Sequence, residues 1–408
     1  MPACKSVYTP REDSTMLEKH VRKYAKGFVL DMGTGSGIQA ITASYNSKVK
    51  SVIALDIQKE VIDYCKINIK NRKITFLVSD LFEIFKTNKE LKNKKFDTII
   101  FNPPYLPEDI KLKDLTLDGG KKGYETLEKF LNNINNYLKP DGIILIVFSS
   151  LTKKGKVDEF IRNNLLDFEL LEKQKIFFEE LYAYLIKKSD LLKKLENKKI
   201  KNIRYFSRGK RGFIFIGNYK GKKIAIKAKN PKSDAILRIE NEIKFLKILN
   251  KKNIGPKLLF HEKDFLVYEF ADGVTFTEFL ESKKAYKKRV LKAIKNIFGQ
   301  LFEMDKLNIN KEEMSHPVKH IIISNKNKPV LLDFERSHYV KSPGNVTQFC
   351  DFLMSKGISL LLKNSKIKIN KNKMINAAKE YKKRQNKGNL DKIINEIKNA
   401  HKIPRQSI

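Results

Sequence analysis

Between residues 26 and 188, short apolar runs alternate with helical periodicity, and this alternation constrains the fold more than any other feature of the chain. Residues 28–32, 52–56, 75–79, 98–101, 143–149 and 182–187 read as strands. Residues 36–45, 58–71 and 124–138 carry the apolar period of helices between them. Strands joined through helices pair in parallel, so this half is expected to be a Rossmann-like α/β sheet. After residue 188 the rhythm changes. Residues 187–201 are polar and lysine-rich, as a linking helix would be, and residues 205–215 and 223–229 read as antiparallel strands around a glycine turn. Long helical periodicity follows at 233–250 and 284–306. A chain of 408 residues is too long for one typical core, and we divide it into residues 1–188 and 189–408.

The formal net charge of +37 is unevenly placed. Residues 1–188 hold 32 basic against 25 acidic side chains, whereas residues 189–408 hold 51 against 21. So positive a second half attracts polyanions such as RNA or ribosomes; a general enrichment in lysine would produce the same numbers. The longest apolar run, 142–148, is far short of the roughly 20 residues of a membrane span. The start of the chain lacks a signal-peptide pattern. Cys4, Cys65 and Cys350 form no CxxC pair, so neither a disulfide framework nor a zinc site is expected. These features point to a reduced, cytoplasmic protein.

The first strand runs into Asp31-Met32-Gly33-Thr34-Gly35-Ser36-Gly37. Glycines at 33, 35 and 37 permit a tight turn and close backbone approach to a ligand. The GxGxG spacing differs from the GxGxxG of dinucleotide binders and suits the methionine and ribose of S-adenosylmethionine. Asp56 ends the second strand, where a carboxylate can accept both ribose hydroxyls. Asp80 ends the third, placed to receive the adenine amino group. Either aspartate would also serve as a helix N-cap.

Asn102-Pro103-Pro104-Tyr105 follows the fourth strand. Proline lacks an amide hydrogen and fixes φ, so the turn is stiff and Pro103 presents a bare carbonyl. That carbonyl and the Asn102 side-chain oxygen can accept both hydrogens of a substrate NH2 group. Amide and exocyclic adenine nitrogens are poor nucleophiles, and holding both hydrogens turns the lone pair toward a methyl donor. Tyr105 offers a flat wall for a planar substrate.

The order of these motifs resembles the HemK-like protein-glutamine methyltransferases, in particular the short archaeal and eukaryotic type. Tyr8-Thr9-Pro10-Arg11-Glu12-Asp13-Ser14 is similar to that type's opening segment, and Gly119-Gly120-x-x-Gly123-x-Glu125 to its later glycine-acid motif. The resemblance implies a class I S-adenosylmethionine-dependent methyltransferase that modifies the GGQ glutamine of a peptide-chain release factor. It also implies a small zinc-binding activator subunit. Asp31 stands where the family often carries Glu. The rival chemistry is N6 methylation of adenine in DNA or RNA, which uses the same four-residue motif after base flipping.

The second half carries a different set of motifs. Phe206-Ser207-Arg208-Gly209-Lys210-Arg211-Gly212-Phe213 reads as a short phosphate-covering loop, and Ala225-Ile226-Lys227 as a strand ending in lysine. Glu240 and Glu242 are candidate partners for Lys227, and Glu242 fits the spacing better. Residues 265–270 read as a hinge strand. Val330-Leu331-Leu332-Asp333-Phe334-Glu335 is similar to the metal-binding "DFG" segment with Glu335 in place of glycine. Together these resemble the RIO-type and KEOPS-complex kinases, and most of all the archaeal serine/threonine kinases that read "DFER" here. The resemblance implies a protein-kinase-like α+β domain that holds ATP and magnesium through Lys227, Glu242 and Asp333, with Glu313 as base. The chain departs from it in the catalytic loop. Lys311 to His320 lacks the usual H-R-D order and the asparagine of the second metal ligand, and Lys319 or His320 lies in that neighbourhood. His261, His316, His320 and His338 show no metal-ligand spacing and read as structural or solvent-facing.

Overall fold

The computed structural model describes residues 8–104, 120–208, 212–229 and 236–398. The chain divides into two compact units, Met1–Tyr205 and Phe206–Ile408.

The first unit opens with helix α1 (Glu12–Tyr24) and strand β1 (Gly27–Met32). There follow α2 (Ile38–Tyr45), β2 (Val49–Asp56), α3 (Lys59–Asn68), β3 (Ile74–Val78), the single turn α4 (Ile84–Thr87) and β4 (Phe96–Phe101). Helix α5 (Glu125–Asn133), β5 (Leu138–Ser149), α6 (Lys154–Asn163), β6 (Leu166–Ile176) and β7 (Glu179–Lys188) complete its sheet. The strands form one seven-stranded sheet in the order β3-β2-β1-β4-β5-β7-β6. Strands β1 to β5 pair in parallel, and the Val, Ile, Leu and Phe side chains of the inner strands β2, β4 and β5 are buried, as in a sheet covered on both faces, whereas Val78 on the edge strand β3 is exposed. The order reverses at β1, between β2 and β4, the crevice where open α/β sheets bind ligands.

The expectation of an all-parallel sheet needs correction at one edge. Strand β7 runs antiparallel to β5, and β6, absent from the sequence reading, runs antiparallel to β7. The link between β6 and β7 is only Phe177-Phe178, too short for a parallel crossover. Helix α1 was also not anticipated; it covers the sheet with Met16, Leu17 and Val21.

Helix α7 (Asp190–Asn197) still belongs to the first unit, and the boundary between the units falls inside the next strand, β8 (Lys201–Arg208). Strands β9 (Gly212–Tyr219) and β10 (Lys222–Lys229), helix α8 (Ile236–Asn250), and strands β11 (Leu258–His261) and β12 (Phe265–Glu269) follow. The five strands are ordered β11-β12-β10-β9-β8. The single strand expected over 205–215 is therefore two, β8 and β9. The expected glycine turn before 223–229 is Lys220 and Gly221, both at positive φ (48° and 76°) as a two-residue hairpin requires. The remainder is mainly helical around Lys287–Lys306, whose Val290, Ile294, Ile297, Phe298 and Leu301 are buried in one large core. Among the described residues, no helix is long and apolar enough to cross a membrane.

Candidate active site

The parallel register brings Met32 beside Leu55 and Phe101, and Asp56 beside Val78. The residues that follow each strand therefore meet at one edge. There they line a cavity of about 300 Å³ that includes Gly33, Gly35, Asp56, Asp80, Asn102 and Pro103. Gly33, Gly35 and Gly37 all have positive φ. Gly37 is the most constrained: φ is 81°, and a Cβ there would stand 2.5 Å from Ile69 Cδ1.

Asp31 lies behind this loop rather than on the cavity wall. It is fully buried, and the Thr34 hydroxyl donates to its Oδ2 at 2.6 Å. Burial pushes the Asp31 carboxyl up to about 7, against the pull of Thr34 and with the added repulsion of Asp56. Asp56 is on the wall. It accepts the amides of Gly35 (3.1 Å) and Gln58 (3.0 Å), which offset the upward shift that burial imposes. It is thus both a turn residue and a cavity-lining carboxylate. At the third strand the two readings separate: the Ser79 hydroxyl accepts the amide of Ile84 at 3.1 Å, while Asp80 lines the cavity.

Asn102 has the most informative environment. Its Nδ2 donates to Asp13 Oδ2 at 3.1 Å and approaches Ser14 Oγ at 3.5 Å, while its Oδ1 is buried without a hydrogen-bond partner among the described residues. The orientation of the amide is settled by its neighbour, since a carboxylate accepts and cannot donate. Asp13 is itself held by the Tyr8 hydroxyl (3.0 and 3.1 Å) and the Ser14 amide (2.6 Å). Tyr105 lies outside the described residues. Asp13, Tyr8 and Ser14 entered the sequence reading only as part of a resembling segment, and nothing in it marked Gln39. That side chain lines the cavity and donates to the Ser14 carbonyl at 2.8 Å, while its Oε1 is buried with no hydrogen-bond partner among the described residues. Glu125 of the glycine-acid segment accepts the amides of Lys122 and Tyr124, so it locks its own turn.

The family model for the methyltransferase small domain matches residues 10–178. A candidate protein N5-glutamine methyltransferase of Methanocaldococcus jannaschii is 36% identical over 182 residues, 43% of this chain and 88% of that protein. The chain belongs to the protein glutamine methyltransferases. A release factor glutamine methyltransferase of Bacillus cereus is 31% identical over 32% of this chain, which spans only 49% of that relative's length. The E. cuniculi Mtq2–Trm112 complex, responsible for the methylation of the eRF1 translation termination factor, aligns with 45% of this chain and 99% of its own at 22% identity. The TM-score of that alignment is 0.36. Membership implies S-adenosylmethionine as cofactor, and the residues present fit it: a glycine turn on the cavity wall, two aspartates beside it, and a lining glutamine whose buried oxygen has no partner among the described residues.

The methyltransferase carries a second cluster beyond the matched residues. Lys227 Nζ, from β10, donates to Glu242 Oε2 (2.6 Å), Asp333 Oδ1 (3.0 Å) and Glu335 Oε2 (3.3 Å). Oxygens of those three carboxylates lie within 4.8 Å of one another, a donor set suited to a divalent cation. Burial disfavours charge on Lys227, yet Glu242 and Asp333 hold its ammonium well above the usual lysine range. Glu240, the other candidate partner, is exposed. Asp333 sits at φ 64°, a left-handed conformation costly for a side-chain-bearing residue. The fully buried Lys311, unmarked in the sequence, secures it by donating to the Asp333 carbonyl and to Glu313 Oε2 (2.9 Å). Glu313 is therefore ion-paired. His320 brings Nε2 to 3.9 Å from Asp333 Oδ2. Gly209, Lys210 and Arg211 lie outside the described residues.

Proposed function

We propose that residues 1–188 methylate the side-chain amide nitrogen of a glutamine, that of the GGQ motif in a class I peptide-chain release factor. The observation that carries this reading is the buried Oδ1 of Asn102, without a hydrogen-bond partner among the described residues, whose orientation Asp13 fixes. An orphaned acceptor in a buried site is costly unless a ligand donor completes it. Gly33, Gly35, Gly37, Asp56 and Asp80 would hold S-adenosylmethionine, with Asp31 supporting the loop from behind. The cofactor supplies an electrophilic methyl group. Asn102 Oδ1 and the Pro103 carbonyl accept the acceptor's N–H groups and aim its lone pair, and Tyr105 flanks the planar amide. A small zinc-binding activator subunit is part of the proposal.

Peptide mass spectrometry of a release factor incubated with the protein, S-adenosylmethionine and the activator tests it. The expected result is one added methyl on the GGQ glutamine. Asn102→Ala abolishes it with cofactor affinity nearly intact, and Asp13→Ala lowers kcat by roughly tenfold to a hundredfold, the loss that follows from misplacing one orienting group. Methyl on adenine in a parallel reaction with DNA and RNA would sink the glutamine assignment.

For residues 189–408 we infer a kinase-like domain, with Lys227, Glu242 and Asp333 as its ATP- and magnesium-binding residues and Glu313 as base. Support comes from the five-stranded sheet, from α8 pairing Glu242 with Lys227, and from Asp333 within reach of the same lysine. The competing reading is a silent module that tethers the enzyme to RNA. Phosphate transfer from ATP that disappears in both Lys227→Ala and Asp333→Ala is the expected outcome. RNA binding with a steep salt slope that Lys227→Ala leaves unaltered, with no phosphate transfer, would favour the tether.

A further inference from the structure

We propose that the tip of the β6–β7 hairpin and the groove beneath it dock an extended loop of the protein that receives the methyl group. This rests on the glutamine-methyltransferase reading of residues 1–188. Phe177 and Phe178 form the tip and are 93% and 100% exposed. Isolated exposed apolar residues are ordinary, but two adjacent, fully projecting phenylalanines form the kind of apolar feature that marks an interaction site. Phe177 also has φ 27°, in the left-handed region that bulky side chains avoid, and such strain persists mainly at ligand clamps and functional turns.

The two rings, with Leu151 and Ile176, border a groove of about 900 Å³. Asp13 lies on the wall of this groove and also on the wall of the cavity that contains Asn102. The groove therefore adjoins the acceptor end of the active site, with Asp13 as the wall between them. A glutamine presented to Asn102 hangs from a main chain that advances about 3.3–3.6 Å per residue, so its neighbours must leave across the adjoining surface. Within the groove, Glu179 Oε2 is buried with no hydrogen-bond partner among the described residues. It lacks a donor, and a backbone N–H or a side-chain amide of an extended peptide supplies one. Carboxylates outnumber basic groups four to two along the groove, which disfavours a phosphate backbone and favours a polypeptide.

The test compares the wild-type chain, F177S/F178S and Glu179→Ala, each with the activator. Intact release factor is one acceptor, and a short glutamine peptide that does not reach the groove is the other. Cofactor affinity by calorimetry confirms that each variant is folded. The expected result is a fall of roughly tenfold or more in kcat/KM for the intact acceptor in F177S/F178S, as on loss of aromatic anchors, and a smaller fall in Glu179→Ala. The short peptide is affected far less. An unchanged kcat/KM for the intact acceptor in F177S/F178S overturns the docking alone, as does concentration-dependent dimerisation of the wild type that F177S/F178S abolishes. A wild type that methylates neither acceptor overturns the underlying reading and the docking with it.

Discussion

Asp31 and Asp13 are both buried carboxylates near the same cavity, yet their surroundings set them different tasks. Asp13 accepts from three donors, the Tyr8 hydroxyl, the Ser14 amide and Asn102 Nδ2. Asp31 receives the Thr34 hydroxyl, and burial lifts its carboxyl to about 7. Its ionised form favours a ligand carrying positive sulfonium and ammonium groups, whereas its protonated form does not. The sign follows: cofactor affinity rises with pH through about 7 and approaches a plateau above it, because binding below that value must first expel the proton. Calorimetry between pH 6 and 8 should show this rise in the wild type and its absence in Asp31→Asn. A flat wild-type profile would remove Asp31 from any electrostatic part in cofactor binding.

At the scale of elements, the glycine turn between β1 and α2 is where backbone geometry is least negotiable. Gly37→Ala places a side chain in the left-handed region, at about 1–2 kcal/mol, and drives its Cβ into Ile69. The expected outcome is a melting temperature lowered by roughly 2–8 °C for a unit of this size and weakened cofactor binding, read by thermal shift with and without S-adenosylmethionine. An unshifted melting curve would mean that the turn relaxes without cost. This turn was legible in the sequence, because strand, glycines and helix all announce it locally. So were β2, β4 and β5, whose apolar runs have few other uses. Strand β6 was not, since its exposed Glu169, Lys173, Gln174 and Lys175 follow no apolar run and its partner β7 defines it. Asp13 was likewise illegible as the fixer of Asn102, because 89 residues separate them and only the fold closes that distance. Lys311 is the same case in the second unit: a lysine in a charged stretch is normally solvent-facing, and only packing against Phe334 and Asp333 reveals it as buried.

For the whole molecule, charge and chemistry divide along the chain. Residues 1–188 are nearly balanced and carry the cavity, whereas the excess of 30 positive charges belongs to residues 189–408. Long-range attraction of a polyanion therefore acts chiefly on the half without the methyl-transfer residues, and it weakens with salt. The seven-stranded sheet has a temporal consequence too. All its strands come from residues 27–188, with β3 at one edge and β6 at the other. No later segment is needed to fill a gap in it. During synthesis at about 5–20 residues per second, the remaining 220 residues take roughly 10–40 s to emerge. The methyltransferase sheet can close, and its cavity form, while the rest of the chain is still being made.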